Sequence, residues 1–210
     1  MPDIIDLFLH LDKHLAALVQ SAGDWTYGVL FLIIFCETGL VVTPILPGDS
    51  LLFAAGAIAA IGNLDIIKLI VVMTVAAILG DAVNYSIGKK LGMKVFENKN
   101  SKIFKPEYLE KTQSFYNKYG GKTIIIARFV PIVRTFAPFL AGVGSMSYSQ
   151  FATYNIVGAI FWVVSMTYCG YIFGGIEIIQ KNFSLVVIGI VILSIMPAVI
   201  EVIKSRKSNS

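Results

Sequence analysis

Charged residues, cysteines and histidines are scarce in this chain. Only 14% of its 210 residues are charged, against about a quarter in soluble domains, and its mean hydropathy is +0.77. The two cysteines, Cys36 and Cys169, both lie in apolar stretches and form neither a disulfide framework nor a CxxC metal or redox motif. This composition argues against a water-soluble globular domain.

The scarcity of histidine bears on catalysis. Both histidines, His10 and His14, lie in the N-terminal segment, and phosphate-loop, dinucleotide-binding and lipid-phosphatase motifs are absent from the sequence. General acid–base and nucleophilic phosphate chemistry therefore lack their usual residues. Asp6, His10 and His14 are each one helical turn apart, but this spacing is more typical of an interfacial polar face than of a metal site. We expect no enzyme activity, no cofactor and no metal.

Long apolar runs are abundant instead. A membrane-spanning helix takes about 20 apolar residues, and the predicted spans are 66–88, 151–175 and 183–203. The apolar region 25–62 is broken at its centre by Pro44, Pro47 and Gly48, so it contains either two spans or one span and a hairpin. The sequence predicts an all-α polytopic membrane protein with a single membrane domain, 1–210.

Polar segments predict the orientation of this domain. Segment 1–22 has helical periodicity with aspartates on its polar side and is predicted to be an amphipathic interfacial helix. Segment 89–122 carries nine lysines against three glutamates, which is typical of a cytoplasmic loop. A helix within this basic loop is predicted to begin at Pro106 and to end before Gly120. The basic C-terminal residues predict a cytoplasmic C terminus.

Segment 123–144 is apolar and also broken, by Pro131 and Pro138, with Gly142 near its end. Its start and the C terminus are both predicted to be cytoplasmic, and two spans follow it. The segment should therefore leave and re-enter on one side as a re-entrant hairpin. Irregular backbone persists at membrane depth only when it is buried in protein or lines a cavity. With the break near Pro47, this predicts two facing hairpins with inverted-repeat character, which form substrate sites in transporters.

Five charged residues lie inside apolar segments: Glu37, Asp49, Asp81, Arg128 and Arg134. Each costs about 2.5–3.5 kcal/mol in hydrocarbon if it stays unpaired, so these residues must pair, hydrate or bind a ligand. Facing hairpins would bring the acids of the first broken region to the arginines of the second, and ion pairs that only fix the hairpins are the structural alternative. Arginine binds phosphate bidentately, so the arginines suit an anionic head group. Asp81 could instead cap a helix or pair with a neighbour.

The charged positions resemble a known family, the DedA family, which shares its domain with the SNARE-associated Golgi proteins. The matching motifs are Glu37 and Asp49 with Pro47-Gly48, Gly80-Asp81-x-x-x-Tyr85-x-x-Gly88, and Arg128-Phe129-x-Pro131-x-x-Arg134 followed by Pro138 and Gly142. The resemblance covers about 27–176. It implies two re-entrant hairpins and a role in lipid movement, including undecaprenyl phosphate recycling and phospholipid scrambling, in some members dependent on the proton motive force.

The resemblance also implies roles for individual residues. The family's functional arginines correspond to Arg128 and Arg134, which would bind the phosphate head group. Its functional acids correspond to Glu37 and Asp49, which would couple protons or form ion pairs. The secondary site residues would be Asp81 and Tyr85. The predicted hairpin breakers are Pro44, Pro47, Gly48, Pro131, Pro138 and Gly142.

The expected function is therefore a flippase or scramblase of undecaprenyl phosphate or a related phospholipid, coupled to the proton motive force as in some family members. A proton-coupled exporter of small cations or drugs is the alternative, although the arginines would repel such a cargo. A lipid-head-group enzyme lacks the residues it would need. The expected partners are membrane lipids and protons, without nucleic acid, and a homo-oligomer stays open. The expected location is the bacterial cytoplasmic membrane.

Overall fold

All regular elements that the structure describes are helices. The computed structural model describes residues 17–18, 20–40, 48–92, 106–144, 146–176 and the isolated positions 186 and 189. Its elements are α1 (Trp25–Gly39), α2 (Gly48–Ala60), α3 (Ile66–Leu91), α4 (Pro106–Tyr119), a 3₁₀ turn (Gly120–Lys122), α5 (Thr123–Ala127), α6 (Pro131–Val143) and α7 (Tyr148–Gly174). The prediction of an all-α protein is confirmed for these residues.

Within the described residues, two helices are long and apolar enough to cross a membrane, namely α3 with 26 residues and α7 with 27 residues. They coincide with the predicted spans 66–88 and 151–175. One side of α3 exposes an aliphatic side chain at every turn: Ile67, Val71, Val75, Leu79 and Val83. A continuous exposed apolar stripe of this kind is unfavourable in water and marks a surface that another apolar phase covers. In a membrane protein that phase is lipid.

Several predicted features lie outside the described residues. They are most of segment 1–22, the breakers Pro44 and Pro47, the first part of the basic loop, and nearly all of the span 183–203. On either side of the first predicted break, α1 ends at Gly39 and α2 begins at Gly48.

The structure describes the backbone of the second broken segment throughout its break. The backbone leaves the helix after Ala127 and resumes at Pro131. Val130 is extended, with φ −123° and ψ 102°, because the residue before a proline is excluded from the helical region, and Pro131 then suits the first helical position. Pro138 and Gly142, which we expected to break the backbone, instead lie inside α6. A proline within a helix loses only one backbone hydrogen bond while its φ remains helical, so α6 continues through it.

Contacts divide the chain into two compact units. Unit 1 contains the described residues of Met1–Ile33, Pro47–Met73 and Val163–Ser210. Unit 2 contains those of Ile34–Leu46 and Thr74–Trp162. Each unit is held by its own close helix crossing.

In unit 1, α2 and α7 cross at two glycines. A Cβ on Gly56 would lie 2.1 Å from the carbonyl oxygen of Thr167, and one on Gly170 would lie 2.0 Å from the carbonyl oxygen of Phe53. Real Cβ atoms do not come so close to backbone atoms, so only glycine permits this contact. Small residues have the same effect in membrane helix pairs generally.

In unit 2, α3 and α6 cross in the same reciprocal way. A Cβ on Gly88 would lie 2.1 Å from the carbonyl oxygen of Phe139, and one on Gly142 would lie 2.0 Å from the carbonyl oxygen of Tyr85. The helix that follows each break thus carries the sequence Phe-x-Ala-Gly, at 53–56 and at 139–142. The same short pattern positions one crossing in each unit.

The amphipathic helix α4 packs against α6. The hydroxyl of Tyr116 donates a hydrogen bond of 2.7 Å to the carbonyl of Ala137. Burial, and secondarily the charge of Asp81, raise the pKa of the Tyr116 hydroxyl, which keeps it a donor. Gly120 ends α4 with a positive φ of 57°, a conformation that favours glycine. The predicted bounds of this helix, from Pro106 to the residue before Gly120, are confirmed.

A buried asparagine joins three helices of unit 2, and its removal should be costly. Asn84 on α3 is fully buried, and its Nδ2 donates to the carbonyls of Thr38 (3.2 Å) and Thr135 (2.9 Å). Asn84→Ala takes this donor away from both buried carbonyls, so we expect the free energy of unfolding to fall by about 1–3 kcal/mol. Thermal unfolding in detergent measures the loss. The exposed variant Asn117→Ala should stay within about 0.5 kcal/mol of the wild type, and equal stability of both variants would contradict the role of Asn84.

Candidate functional site

The first buried ion pair joins α1 to the start of α6. Glu37 lies near the end of α1, and its side chain is 1% exposed. Its Oε1 accepts a hydrogen bond from Nη2 of Arg134 in the first turn of α6. Both residues were predicted from the sequence, and unit 2 brings them together. A carboxylate this deeply buried is tolerated because the guanidinium provides both opposite charge and a donor.

The second buried ion pair involves Arg128, at the backbone break after α5. Its Nη2 lies 2.6 Å from Oδ2 of Asp81 on α3, and the two side chains are only 2% and 4% exposed. The same Nη2 lies 2.6 Å from Oδ1 of Asn155 on α7. Nδ2 of Asn155 donates to the carbonyl of Ile78 at 3.0 Å, which fixes the orientation of its amide.

Arg128 also retains hydrogen-bonding capacity. Its Nε and Nη1 are buried, and neither has an acceptor among the described residues. Buried donors are almost always satisfied in proteins, so such atoms call for a physical account. Gly158 on α7 packs closely against this side chain, because a Cβ there would lie 3.1 Å from Nε of Arg128. These N–H groups can donate hydrogen bonds to the oxygens of an anion.

A single indole ring lies against both arginines. The guanidinium carbon of Arg128 is 5.7 Å from the centre of the Trp162 ring, and that of Arg134 is 5.1 Å from it. Trp162 is fully buried. A cation over an aromatic face gains roughly 0.5–2 kcal/mol, more when water is absent. Trp162 therefore stabilises two like charges that would otherwise repel one another.

The other predicted polar site residues are Asp49 and Tyr85. Asp49 is in the first turn of α2 and belongs to unit 1, where a carboxylate near a helix N-terminus is favourable. Tyr85 is buried in unit 2, but its hydroxyl donates to the carbonyl of Met146 at 2.8 Å and its ring stacks on Phe151. Tyr85 thus has a packing role in the structure.

Sequence reasoning did not assign Asn155, Gly158 or Trp162 to the site. Asn155 could have been found, because an amide inside an otherwise apolar predicted span is costly unless it has partners. Gly158 and Trp162 gave no such signal, since glycine and tryptophan are common in membrane helices. Their roles depend on the contact between α7 and the backbone break.

Apolar helices with an exposed aliphatic stripe, enclosing two buried ion pairs, define a polytopic membrane protein with a charged centre. The model of the VTT domain matches residues 46–172. The chain belongs to the DedA family of VTT-domain membrane proteins, as its motifs predicted.

Relatives agree with this assignment. The chain is 58% identical to Protein DedA of Escherichia coli K12, over 98% of this chain and 94% of that protein. It is 41% identical to an uncharacterized membrane protein of Mycobacterium leprae, over 85% and 80% of the two chains. It is 35% identical to the inner membrane protein YqjA of Escherichia coli K12, over 74% and 70%. No solved structure matches the chain.

Proposed function

We propose that this protein moves a phosphate-bearing lipid, undecaprenyl phosphate or a related phospholipid, across the bacterial cytoplasmic membrane. The observation that carries the proposal is Arg128, a buried guanidinium at a backbone break that retains two donors without an acceptor among the described residues. Arginine is the side chain best matched to phosphate oxygens. A second arginine, Arg134, whose side chain is 10% exposed, lies against the same indole ring.

The charged cluster and the lipid-facing surface serve different parts of such a substrate. The phosphate would bind at the arginines, while the hydrocarbon chain would stay in the bilayer along exposed apolar surface such as the stripe on α3. Moving one unit charge across 100 mV is worth about 2.3 kcal/mol. Protonation of Glu37 or Asp49 would release or reset the arginines, and the proton motive force could then drive the cycle.

The path of the chain through the membrane is part of this proposal. We propose that each broken segment enters and leaves from one side, and that the C terminus is cytoplasmic. The recurrence of Phe-x-Ala-Gly at 53–56 and 139–142, each with a reciprocal glycine crossing, supports an inverted repeat. Such repeats place substrate sites at broken helices.

Export of a small cation is the weaker candidate. In unit 2 the buried acids Glu37 and Asp81 are each engaged by an arginine. A cation would have to displace a guanidinium from its carboxylate and would approach two buried positive charges. An anion meets no such barrier.

The proposal predicts that Arg134→Ala abolishes lipid movement. Proteoliposomes that contain a fluorescent polyprenyl phosphate should show translocation with the wild type. With Arg134→Ala the rate should fall to that of protein-free vesicles, because one of two phosphate ligands is lost. A pH gradient should accelerate the wild type, and Glu37→Gln should reduce that acceleration.

The matched control is Lys68→Ala, which removes an exposed cation of unit 1 that forms an ion pair with the exposed Asp24. It should move lipid at the wild-type rate. A probe that ends in the uncharged alcohol instead of phosphate should not be moved. Equal movement of both probes, or undiminished movement by Arg134→Ala, would refute phosphate recognition by the arginines.

A further inference from the structure

The way in which Arg128 is held determines how it can bind a ligand. A guanidinium has five N–H donors, two of them on Nη2. Asp81 Oδ2 and Asn155 Oδ1 each lie 2.6 Å from Nη2, so both of its N–H groups have acceptors. Nε and Nη1 have none among the described residues. The engaged and available donors are therefore on different nitrogens.

This pattern of engaged and available donors restricts how Arg128 can bind two oxygens of one ligand at the same time. A guanidinium binds two oxygens at once through Nε with Nη2 or through Nη1 with Nη2, and both pairs include Nη2. Each edge of Arg128 thus has one donor available and one donor engaged. A phosphate can bind Arg128 bidentately only after Asp81 or Asn155 leaves Nη2.

Of the two acceptors, Asp81 is the one expected to give up its hydrogen bond with Nη2 of Arg128, for electrostatic reasons. Asn155 is neutral and is fixed from the other side by its hydrogen bond to Ile78, so it does not repel an anion. Asp81 has the same sign of charge as the phosphate. Two like charges that share one cation in a low dielectric cannot both stay ionised. When a phosphate arrives, Asp81 must therefore become neutral.

Among the described residues, Asp81 has no second cation available to form an ion pair once Arg128 is taken. Within the described residues, the other charged or titratable groups that act on Asp81 are Arg134 and the Tyr116 hydroxyl. Arg134 is engaged with Glu37. The Tyr116 hydroxyl already donates to a backbone carbonyl. A proton is the remaining way to neutralise the carboxylate.

We infer that Asp81 links phosphate binding to proton uptake at Arg128, a mechanism that rests on the proposed function. The phosphate oxygen accepts the Nη2 hydrogen bond, the bond from Nη2 to Asp81 breaks, and the freed carboxylate takes one proton from the aqueous phase. Release of the phosphate reverses these steps. One singly charged phosphate group and one proton enter together, so the net charge of the site stays constant. Asn155 remains on Nη2 as a positioning residue.

The test uses the full chain in nanodiscs and dihexyl phosphate, a phosphodiester that stays singly charged near neutral pH and takes up no proton itself. Calorimetry in buffers of different ionisation enthalpy counts the protons taken up on binding. We expect about one proton per probe for the wild type, with affinity about tenfold weaker for each unit of rising pH. Asp81→Asn should bind without proton uptake, independently of pH, and more tightly than the wild type at high pH.

The control is Asp65→Asn, the same substitution at an exposed residue before α3. Asp65 Oδ1 accepts a hydrogen bond from the backbone N–H of Lys68, which asparagine can replace, so this variant should match the wild type. Proton uptake that persists in Asp81→Asn, or zero uptake by the wild type, would overturn the inference. If Asp81→Asn does not fold, Asp81→Ser takes its place, and the wild-type count still decides.

Further binding measurements distinguish a failure of this inference from a failure of the proposed function. Binding that survives Arg128→Met unchanged would refute the phosphate site itself. Binding that requires Arg128 but takes up no proton would refute only the role of Asp81. Competition by inorganic phosphate at similar concentration would identify free phosphate as the ligand, and its failure to compete would identify a lipid-borne phosphate.

Discussion

Replacing Arg128 with methionine is expected to lower the free energy of unfolding by about 3–5 kcal/mol at high pH, where Asp81 keeps its charge, because that buried charge then loses its cation. The Asp81 side chain is 4% exposed, so water cannot take the place of the guanidinium. Lipid movement should fall to the level of protein-free vesicles. Chemical unfolding in detergent and the proteoliposome assay measure the two effects.

The double variant Asp81→Asn/Arg128→Met separates stability from function. It removes both charges, and uncharged replacements of a buried ion pair are often as stable as the original, so most of the lost stability should return. Lipid movement should not return, because the phosphate ligand is still missing. A double variant that moves lipid at the wild-type rate would show that this pair only holds the fold together.

The second large effect is expected from one added methyl group, in Gly142→Ala. The new Cβ would lie 2.0 Å from the carbonyl oxygen of Tyr85 and 2.8 Å from the backbone nitrogen of Lys89. No side-chain rotation relieves an overlap with backbone atoms, so α6 must move away from α3. We expect a loss of about 1–3 kcal/mol or more, together with reduced lipid movement, because Arg134 lies on α6. Thermal unfolding and the vesicle assay check both.

Gly28→Ala is the matched control for this substitution. Gly28 lies within α1, and the nearest atom to its added Cβ would be 3.9 Å away. Alanine is better than glycine inside a helix by roughly 0.5–1 kcal/mol, so this variant should be as stable as the wild type or more stable. If Gly142→Ala is equally stable, the α3–α6 crossing is looser than its backbone geometry indicates.

The charged centre could be predicted from the sequence because it conflicts with its surroundings. Glu37, Arg128 and Arg134 are costly in apolar segments unless they are paired or bound, which selects them without any structure. The partner of Arg128 could not be predicted in the same way. The acids of the first broken region were expected to meet the arginines, yet Arg128 pairs with Asp81. Which turn of one helix faces another depends on side-chain packing between elements distant in sequence.

Breaks in the helices were predictable to different degrees. Pro131 follows a break because the preceding residue must be extended, and this is local chemistry. Pro138 is also a proline, like Pro131, but it lies within α6, because packing of the surrounding turns outweighs one missing hydrogen bond. Gly142 was expected to interrupt the chain, whereas it serves the close approach to α3. Local rules identify candidate breaks, and tertiary contact decides which of them occur.

The position of Trp162 makes the charged centre, the two ion pairs of Arg128 and Arg134, observable by intrinsic fluorescence. The chain has only two tryptophans, and they differ in environment, since Trp162 is fully buried against two guanidinium groups whereas Trp25 is 80% exposed. With Trp25 replaced by phenylalanine, all indole emission would come from the ring beside Arg128 and Arg134. Any step that moves a guanidinium on or off that ring would change the emission intensity or wavelength. The working cycle of the protein could then be followed in real time without an attached dye.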